Sequence, residues 1–382
     1  MKKEIYLDNA ATTKVLPEVT KAVVEALEQS YANPSSLHSF GLKSENILEQ
    51  SRKKIAAYLG VNPKEIIFSS GGTESNNLAI RGITQSYQNR GKHLISSPIE
   101  HASVANLFQN LAQAGWQIDQ VKVDKKGKVD LQHLKSLITD QTVLVSIMHV
   151  NNELGTIQPV KKISELIKKI NPLTFFHVDG VQAFGKVYSD LKNWQIDLYS
   201  ISGHKVHAPM GVGALYCQNG INLTPLVAGG SQEKGLRPGT ENIPAIAGFK
   251  VAVDNLAQLS PKSQAKQSLI EKNNYLRQRL KEIKAIVLNS PQTGAPHIIN
   301  FSLPGIKGET MLHALANQGI YLSTGSACSS KKPGNRILNA CGLEPKISES
   351  ALRVSLESKT TKTELDFFLK ILKEQIDFLK IL

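Results

Sequence analysis

The order of hydrophobic and polar residues between positions 65 and 217 predicts alternating strands and helices. Short apolar runs alternate there with stretches in which apolar residues recur at helical spacing. The run at 143–148 is almost entirely apolar, as expected of a buried parallel strand. The predicted strands are residues 66–68, 93–95, 117–123, 143–148, 174–178, 197–201 and 212–216, and helices begin near 74, 102, 131 and 160. This rhythm favours a doubly wound α/β domain.

The two ends of the chain follow a different pattern. Helical spacing begins at Pro17, and a more polar helix is predicted from about 41 to 59, ending before Gly60. Beyond residue 258, helices are predicted at 264–283, 309–317 and 362–379, and strands at 285–288, 297–303, 320–323 and 351–356. We therefore expect a large α/β domain at 15–258 and a smaller α+β domain formed by 1–14 and 259–382.

Composition narrows the class of protein. The 382 residues are 41% hydrophobic and 20% charged, which is ordinary for a globular protein. No run approaches the roughly 18 apolar residues of a membrane helix, and the N-terminus lacks the apolar core of a signal peptide, so we expect a cytoplasmic protein without membrane contact. The net charge of +13 comes from scattered lysines. Such a surface is either simply solvated or attractive to an acidic partner or tRNA.

The three cysteines are Cys217, Cys328 and Cys341. An odd number without metal-ligand spacing argues against a disulfide framework and a metal site, and it suits a reducing compartment. Cys217 closes an apolar strand and Cys341 precedes a glycine at a predicted helix end, so both are interpreted as structural thiols.

Lys205 is the first candidate for chemistry. It follows a predicted strand and a Ser202-Gly203-His204 turn. A lysine after a strand is usually a solvated surface residue. At the mouth of a parallel sheet, however, a desolvated lysine can form a Schiff base with a carbonyl cofactor.

Three more polar positions follow predicted strands. Gly72 and Thr73 could bind a phosphate at a helix start, His101 could lie against a planar ring, and Asp179 could pair with a protonated pyridine nitrogen. Alternatively, they are an ordinary turn, a structural histidine and a paired buried carboxylate. No dinucleotide or Walker motif occurs. Together with Lys205, the four features fit one ligand, pyridoxal 5'-phosphate.

The ordered motifs resemble those of cysteine desulfurases of the NifS/IscS group, which belong to the class V aminotransferase-like, fold-type I pyridoxal-phosphate enzymes. The resemblance runs nearly end to end. The motifs are Tyr6–Thr13, Asn33–His38, Ser70–Asn77, Ile99–His101, Asn151–Thr156, Asp179 with Gln182, Ser202–Lys205, Arg237–Asn242 and Gly325–Cys328. The resemblance implies a fold-type I pyridoxal-phosphate-dependent transferase, with a large doubly wound domain around a mixed, mainly parallel sheet and a smaller α+β domain.

The resemblance also implies residue roles. Lys205 would hold the cofactor as an imine and move protons, Asp179 would pair with the pyridine nitrogen, and His101 would stack on the ring and act as an acid or base. The other implied cofactor contacts are Gln182 at the ring hydroxyl, Gly72, Thr73, Ser202 and His204 at the phosphate, Asn152, and Thr240 of a neighbouring subunit in a homodimer. Arg353 and Asn152 would bind the carboxylate of L-cysteine, Arg353 through a bidentate pair.

Cys328, in a stretch of small residues, would be the sulfur-accepting nucleophile. The resemblance implies that its thiolate attacks the substrate sulfur, that L-alanine leaves, and that Cys328 carries a persulfide. The sulfur would then pass to an acceptor protein, either a tRNA thiolase or an iron–sulfur cluster scaffold. An exposed thiol without function is the alternative.

Departures from the family pattern bear on the acceptor. The stretch after Cys328 is more basic than usual and about one residue short, and the chain ends at Leu382 without the C-terminal extension that the IscS branch uses for its scaffold partner. These features favour tRNA thiolation. The stretch after Lys205 lacks a usual lysine. Gly180 stands where alanine is usual, a change expected to be harmless.

Two other functions compete. The first is a selenocysteine lyase or related class V aminotransferase in which Cys328 is incidental. The second is a weakly catalytic docking platform for sulfur-relay partners. The Gly-Ser-Ala-Cys stretch favours the desulfurase over an aminotransferase, and the set of Lys205, Asp179 and Arg353 argues against the platform.

Overall fold

A computed structural model describes residues 4–256, 264–325 and 335–381 of the chain. The strands are β1 (Ile5–Tyr6), β2 (Ile66–Ser69), β3 (His93–Ser96), β4 (Gln117–Gln120), β5 (Thr142–Ser146), β6 (Phe175–Asp179), β7 (Leu198–Ser202), β8 (Gly213–Cys217), β9 (Val287–Leu288), β10 (Ile298–Ser302), β11 (Ile320–Tyr321) and β12 (Ala351–Ser355). The helices are α1 (Pro17–Gln29), α2 (Ser39–Leu59), α3 (Gly72–Ser86), α4 (Ala102–Gln113), α5 (Leu131–Leu137), α6 (Val160–Ile170), α7 (Ile243–Leu256), α8 (Gln264–Lys281), α9 (Gly308–Ala316), α10 (Arg336–Ala340), α11 (Pro345–Ser348) and α12 (Lys362–Ile381).

Seven strands form the central sheet in the order β2-β8-β7-β6-β5-β3-β4. β8 is antiparallel to β2 and β7, and the other neighbouring strands are parallel. Every strand of this sheet except β4 consists of buried residues. Burial on both faces explains why these strands are nearly continuous apolar runs in the sequence. The predicted fold class, α/β with a mixed, mainly parallel sheet, is confirmed.

Helix α7 was not predicted from the sequence. It packs against α1 and α2, and nine of its residues are buried, from Ile243 to Leu256. A helix buried on most sides lacks the polar stripe that reveals helical periodicity, which is why the pattern missed it. No helix in the described ranges, α7 included, is both long and apolar enough to cross a membrane.

The C-terminal elements form a second core. β10 lies between β12 and β9 in an antiparallel sheet, and β1 pairs with β11 in parallel. Ile5 and Leu7 from the N-terminus pack into this core with Phe301 and Leu372, whereas a separate cluster surrounds the central sheet. The predicted domain boundary at residue 258 lies outside the described residues.

Two of the cysteines are placed where thiols are unreactive. Cys217 and Cys341 are buried and free. Burial raises the pKa of each thiol to about 12. Since the thiolate is the nucleophilic form, neither is suited to attack a substrate. Cys328 lies outside the described residues.

Candidate active site

The carboxyl ends of the central strands surround one cavity of about 270 Å³. β6 ends at Asp179, and β7 leads through Ser202 into a single helical turn that ends at Lys205. Neighbouring parallel strands end at the same edge of a sheet, so these side chains meet there. The cavity is lined by Ala10, Ala11, Gly72, Thr73, Asn76, His101, Ser103, Met148, Asn152, Asp179, Val181, Gln182, Ser202, His204, Lys205 and Arg353. All predicted site residues except Thr240 and Cys328 are in this set.

One end of the cavity is suited to an anion. Helix α3 begins at Gly72, so the free N–H groups of its first turn and the positive end of its dipole lie at the cavity wall. A Cβ at Gly72 would come within 2.5 Å of Val181 Cγ2, so this backbone has no room for a side chain. The Oγ of Ser202 is buried without a hydrogen-bond partner among the described residues.

Asp179 is held as a buried acceptor. It is 4% exposed, its Oδ2 accepts a hydrogen bond from Asn76 Nδ2 at 2.8 Å, and its Oδ1 accepts one from the Val181 N–H at 3.0 Å. Asn76 Nδ2 also donates to Ser103 Oγ at 2.8 Å, and Ser103 in turn bonds His101 Nδ1 at 2.8 Å. A chain of hydrogen bonds therefore connects the strand-end carboxylate to the histidine ring. Neither Asn76 nor Ser103 was predicted from the sequence to have a role in the site.

His101 is neutral at pH 7. Burial lowers its pKa, opposed by the charge of Asp179 and reinforced by those of Lys205 and Arg336. Its Nδ1 also accepts a hydrogen bond from the backbone N–H of Ser103 at 3.2 Å. Since Nδ1 is an acceptor, the proton of the neutral ring is on Nε2.

His204 is also uncharged. Burial lowers its pKa to about 4, and the positive charges of Lys205 and Lys186 add to this effect. Its Nδ1 lies 3.2 Å from Thr12 Oγ1, which fixes the ring against the N-terminal segment. A neutral imidazole can donate a hydrogen bond to an anion through its N–H.

The amine of Lys205 points at backbone carbonyls of the N-terminal segment. Its Nζ donates to Ala10 O at 2.8 Å and to Ala11 O at 2.6 Å. Gln182 Nε2 donates to the same Ala10 O at 2.8 Å, and the Oε1 of Gln182 is buried without a partner among the described residues. These contacts place a lysine amine and an amide oxygen beside Asp179 in one cavity.

Arg353 supplies the fixed positive charge. It is 2% exposed, its Nη2 lies 2.7 Å from Asp8 Oδ1, and its Nη1 donates to Asn152 O at 2.8 Å. Its Nε is buried without a partner in the described part of the chain, as is Asn152 Oδ1. The guanidinium therefore keeps unused donors in the cavity.

The unpartnered atoms test whether pyridoxal 5'-phosphate fits. Asn76 Oδ1, Asn152 Oδ1, Gln182 Oε1, Ser202 Oγ and Arg353 Nε all belong to residues that line the cavity, and none has a hydrogen-bond partner among the described residues. Buried polar atoms are normally satisfied, so this cluster indicates a polar ligand. A lysine amine, a buried carboxylate and a helix N-terminus match the aldehyde, pyridine nitrogen and phosphate of this cofactor. The residues present fit it.

Comparison with known proteins decides the family. The family model of the class-V aminotransferases matches residues 5–368. The chain belongs to the aminotransferase class-V family. A NifS/IcsS protein homolog of Lactobacillus delbrueckii subsp. bulgaricus is 45% identical over 376 residues, which cover 97% of this chain and 96% of that protein. The cysteine desulfurase IscS of Dictyoglomus turgidum is 39% identical over 382 residues, which cover 100% of this chain and 96% of that protein.

A solved structure supports the same assignment. A NifS-like protein superposes with a TM-score of 0.93 at 36% identity, over 98% of this class-V chain and 100% of that one. The predictions of family, of fold, of a pyridoxal-phosphate-dependent cysteine desulfurase and of its cofactor are confirmed by these relatives. The individual residue roles, the homodimer and the sulfur acceptor stay predictions.

Thr240 is set apart from the other predicted cofactor ligands of this class-V chain. It is exposed and does not line the cavity. The segment that carries it is tied to helix α3, because Arg237 Nε lies 2.9 Å from Glu74 Oε1. Thr240 is therefore not among the residues that line the cavity of its own subunit, and its contact with the phosphate of a neighbouring subunit stays a prediction.

Gly180 is not interchangeable with alanine in this class-V chain, because the space that an alanine side chain would need is occupied. The expectation that the native glycine is harmless stays a prediction. A Cβ at Gly180 would overlap ring carbons Cε1 and Cζ of Tyr199. The Tyr199 ring is 0% exposed, and its hydroxyl lies 3.0 Å from His149 Nδ1, so the ring cannot move aside. The glycine directly after Asp179 is therefore coupled to the tyrosine on β7.

Substituting Gly180→Ala is expected to destabilise the fold by about 3 kcal/mol, the upper range for forcing an extra methyl group into a rigid core. Tyr199→Leu should cost stability by itself, because a cavity forms and the contact with His149 is lost. In the Tyr199→Leu background, however, the added cost of Gly180→Ala should fall below about 1 kcal/mol. Urea unfolding of the four proteins measures this coupling; equal costs of Gly180→Ala in both backgrounds would contradict it.

Proposed function

We propose that this chain removes sulfur from L-cysteine, releases L-alanine, and passes the sulfur through a persulfide on Cys328 to an acceptor protein. The observation that carries the proposal is the convergence of the Lys205 amine, the Asp179 carboxylate and the Arg353 guanidinium on one cavity. This arrangement has a place for a cofactor and, beside it, a cation for a substrate carboxylate.

The cavity residues divide between the two ends of the cofactor. The first turn of α3 at Gly72 and Thr73, together with Ser202 and His204, would hold the phosphate. Asp179 would pair with the pyridine nitrogen, Gln182 would meet the ring hydroxyl, and His101 would lie on the ring. When bound, pyridoxal 5'-phosphate supplies an electron sink for the bonds at the substrate Cα.

The hydrogen bonds of Asp179 would hold the carboxylate where it can pair with the pyridine nitrogen. The carboxylate accepts hydrogen bonds from Asn76 and from the Val181 N–H, which fix its orientation in the cavity. A charged carboxylate in a buried site favours a proton on a pyridine nitrogen beside it. Asn76 would thus act on the ring only through Asp179.

Lys205 and His101 move protons. Lys205 would hold the cofactor covalently, yield that position to the amine of L-cysteine, and then take the proton from Cα and return a proton to the alanine product. In neutral His101 the Nε2 carries the proton, so this nitrogen can donate to the substrate while Ser103 holds Nδ1. Arg353 and Asn152 would orient the substrate by binding its carboxylate.

Cys328 would accept the sulfur. Its thiolate attacks Sγ of the substrate, a new S–S bond forms, and the Cβ–S bond breaks with its electron pair left on Cβ. Protonation at Cβ and Cα gives L-alanine, so one thiol and one L-cysteine become one persulfide and one L-alanine. No external oxidant is needed, and a thiol reductant or an acceptor protein removes the bound sulfur.

Product analysis tests the proposal. The purified protein, supplied with pyridoxal 5'-phosphate, L-cysteine and dithiothreitol, should form L-alanine and sulfide in equal amounts. Pyruvate and ammonia in place of L-alanine would overturn the proposal, because they indicate β-elimination. L-selenocysteine is the comparison substrate: turnover of selenocysteine without turnover of cysteine would favour the lyase alternative.

The proposal includes the cellular location, the oligomeric state and the sulfur acceptor of the enzyme. We place the enzyme in the cytoplasm as a homodimer in which Thr240 of each subunit reaches the phosphate in the other. The exposed rings of Tyr31 and Phe40, 6.0 Å apart, support a subunit contact, since exposed aromatic pairs are typical of interfaces.

The acceptor serves tRNA thiolation or iron–sulfur cluster assembly. Affinity capture from extract of the source cells distinguishes these by whether a tRNA thiolase or a scaffold protein is recovered.

A further inference from the structure

The segment 8–13 contacts three residues that line the candidate site: Lys205, His204 and Arg353. Ala10 and Ala11 accept the hydrogen bonds of the Lys205 amine, and Thr12 contacts the ring of His204. Asp8 is the only residue of this segment with a charged side chain, and it pairs with Arg353.

Asp8 is not needed to attach the segment to β12. The Ser355 N–H donates to Leu7 O at 2.7 Å, Asn9 Nδ2 donates to Ser355 O at 2.9 Å, and the Ala10 N–H donates to Ser355 Oγ at 2.8 Å. These bonds fix the backbone on both sides of Asp8. The Asp8 carboxylate is therefore not required for this attachment. Its Oδ1 lies 2.7 Å from Arg353 Nη2.

The contact between Asp8 and Arg353 determines which N–H donors of the guanidinium remain available to a ligand. A guanidinium has five N–H donors in a rigid plane. Nη2 gives one of them to Asp8 and Nη1 gives one to Asn152 O. Two anchors on different nitrogens fix the plane of the group. The remaining donors, including the unpartnered Nε, then have one defined orientation.

The difference in burial shows what the pair does electrostatically. The side chain of Arg353 is 2% exposed, whereas that of Asp8 is 21% exposed. The guanidinium is removed from water and needs a nearby anion, while the carboxylate keeps part of its hydration. A partly solvated partner weakens the positive charge less than a fully buried one would, so Arg353 can attract a second carboxylate.

We propose that Asp8 is a positioning residue for substrate recognition: it holds the Arg353 guanidinium in the orientation that binds the carboxylate of the amino-acid substrate. This inference rests on the proposed function, in which Arg353 binds that carboxylate. Asp8 itself does not touch the substrate. It acts through Arg353, and its effect is confined to ligands that carry a carboxylate.

The test compares Asp8→Ala, Asp8→Asn and the control Tyr6→Phe. Tyr6 donates from its hydroxyl to Asp8 O at 3.2 Å and Thr12 O at 3.0 Å, so its loss perturbs the same segment without touching Arg353. Asp8→Ala should raise KM for L-cysteine about tenfold while kcat changes less than about threefold. Asp8→Asn keeps an acceptor for Nη2 and should raise KM about threefold. Tyr6→Phe should leave both constants unchanged.

Two further measurements separate positioning from a general structural role. The dissociation constant of L-alanine, measured by calorimetry without turnover, should rise about tenfold in Asp8→Ala, in parallel with KM. Cysteamine is L-cysteine without the carboxylate, and its affinity should be the same in wild type and Asp8→Ala. Equal weakening of cysteamine and L-alanine, or an unchanged affinity for L-alanine, overturns the inference.

Arg353→Ala distinguishes failure of this inference from failure of the proposed function. If Arg353→Ala weakens L-alanine binding and Asp8→Ala does not, only the role of Asp8 is wrong. If Arg353→Ala leaves L-alanine binding unchanged, the substrate-binding role of Arg353 is wrong and the inference falls with it. Asp8→Asn, nearly identical in shape to the wild type, keeps the test decisive should Asp8→Ala fold poorly.

Discussion

Lys205→Ala is expected to lose desulfurase turnover by about 10³-fold or more, because the variant has no amine to attach the cofactor or to move the Cα proton. The rest of the cavity should keep its affinity for the phosphate and ring, since Asp179, Gln182 and the start of α3 are untouched. The measurements are L-alanine formation and the mass of the protein after borohydride treatment. Wild type should gain a covalent adduct at Lys205, and the variant should not.

Lys205→Arg is the matched control. It retains a positive charge that can donate to the carbonyls of Ala10 and Ala11, at 2.8 and 2.6 Å from the native amine. A guanidinium stays protonated and cannot form the covalent link, so this variant should be as inactive as Lys205→Ala. Turnover above one tenth of wild type in either variant contradicts the assignment. Recovery in Lys205→Arg alone would show that only the charge matters.

The strand-end residues were predictable because two local features define them. Lys205 and Asp179 each follow an apolar run, and in a parallel sheet the ends of such runs meet at one edge. This rule predicts that Lys205 and Asp179 lie close together even when no contact between them is known. It accounts for the meeting of these two side chains in the cavity, and the family resemblance supplied the other predicted lining residues, among them Arg353.

The supporting residues were not predictable in this way. Asp8 contacts Arg353 across 345 positions of the chain, and Asn76 contacts Asp179 across 103. Asp8 follows β1, which is outside the central sheet, and Asn76 lies inside helix α3, so the rule for parallel strand ends does not connect either residue with its partner. Both were inside motifs of the family resemblance, but a motif identifies a position and not what its side chain touches.

The close contact at Gly180 was unpredictable for the same reason. Compared with the family pattern, glycine for alanine is a loss of one methyl group, which is mild by itself. In this fold the Gly180 N–H donates to Ser200 O at 2.9 Å, so the glycine lies beside β7, where the neighbouring Tyr199 ring fills the space. A substitution is harmless or costly only with respect to its partner, and the partner here is set by the pairing of β6 and β7.

Cys328→Ser should separate the two halves of the reaction. The variant should form neither persulfide nor sulfide above the reaction without enzyme, because a serine hydroxyl cannot accept sulfur in this step. Proton exchange at Cα depends on Lys205 and should persist. In heavy water the variant should therefore still replace the Cα proton of L-alanine by deuterium, which mass spectrometry detects.

Cys217→Ser and Cys341→Ser are the controls, since burial raises the pKa of both native thiols to about 12 and leaves them without nucleophilic thiolate at neutral pH. Each control should still gain the mass of one sulfur atom when mixed with L-cysteine, at a peptide that contains Cys328. Sulfide release by Cys328→Ser at the wild-type rate would refute the persulfide route. Loss of Cα exchange in the same variant would show that Cys328 acts before sulfur transfer, because only Lys205 and the cavity around it are needed for that exchange.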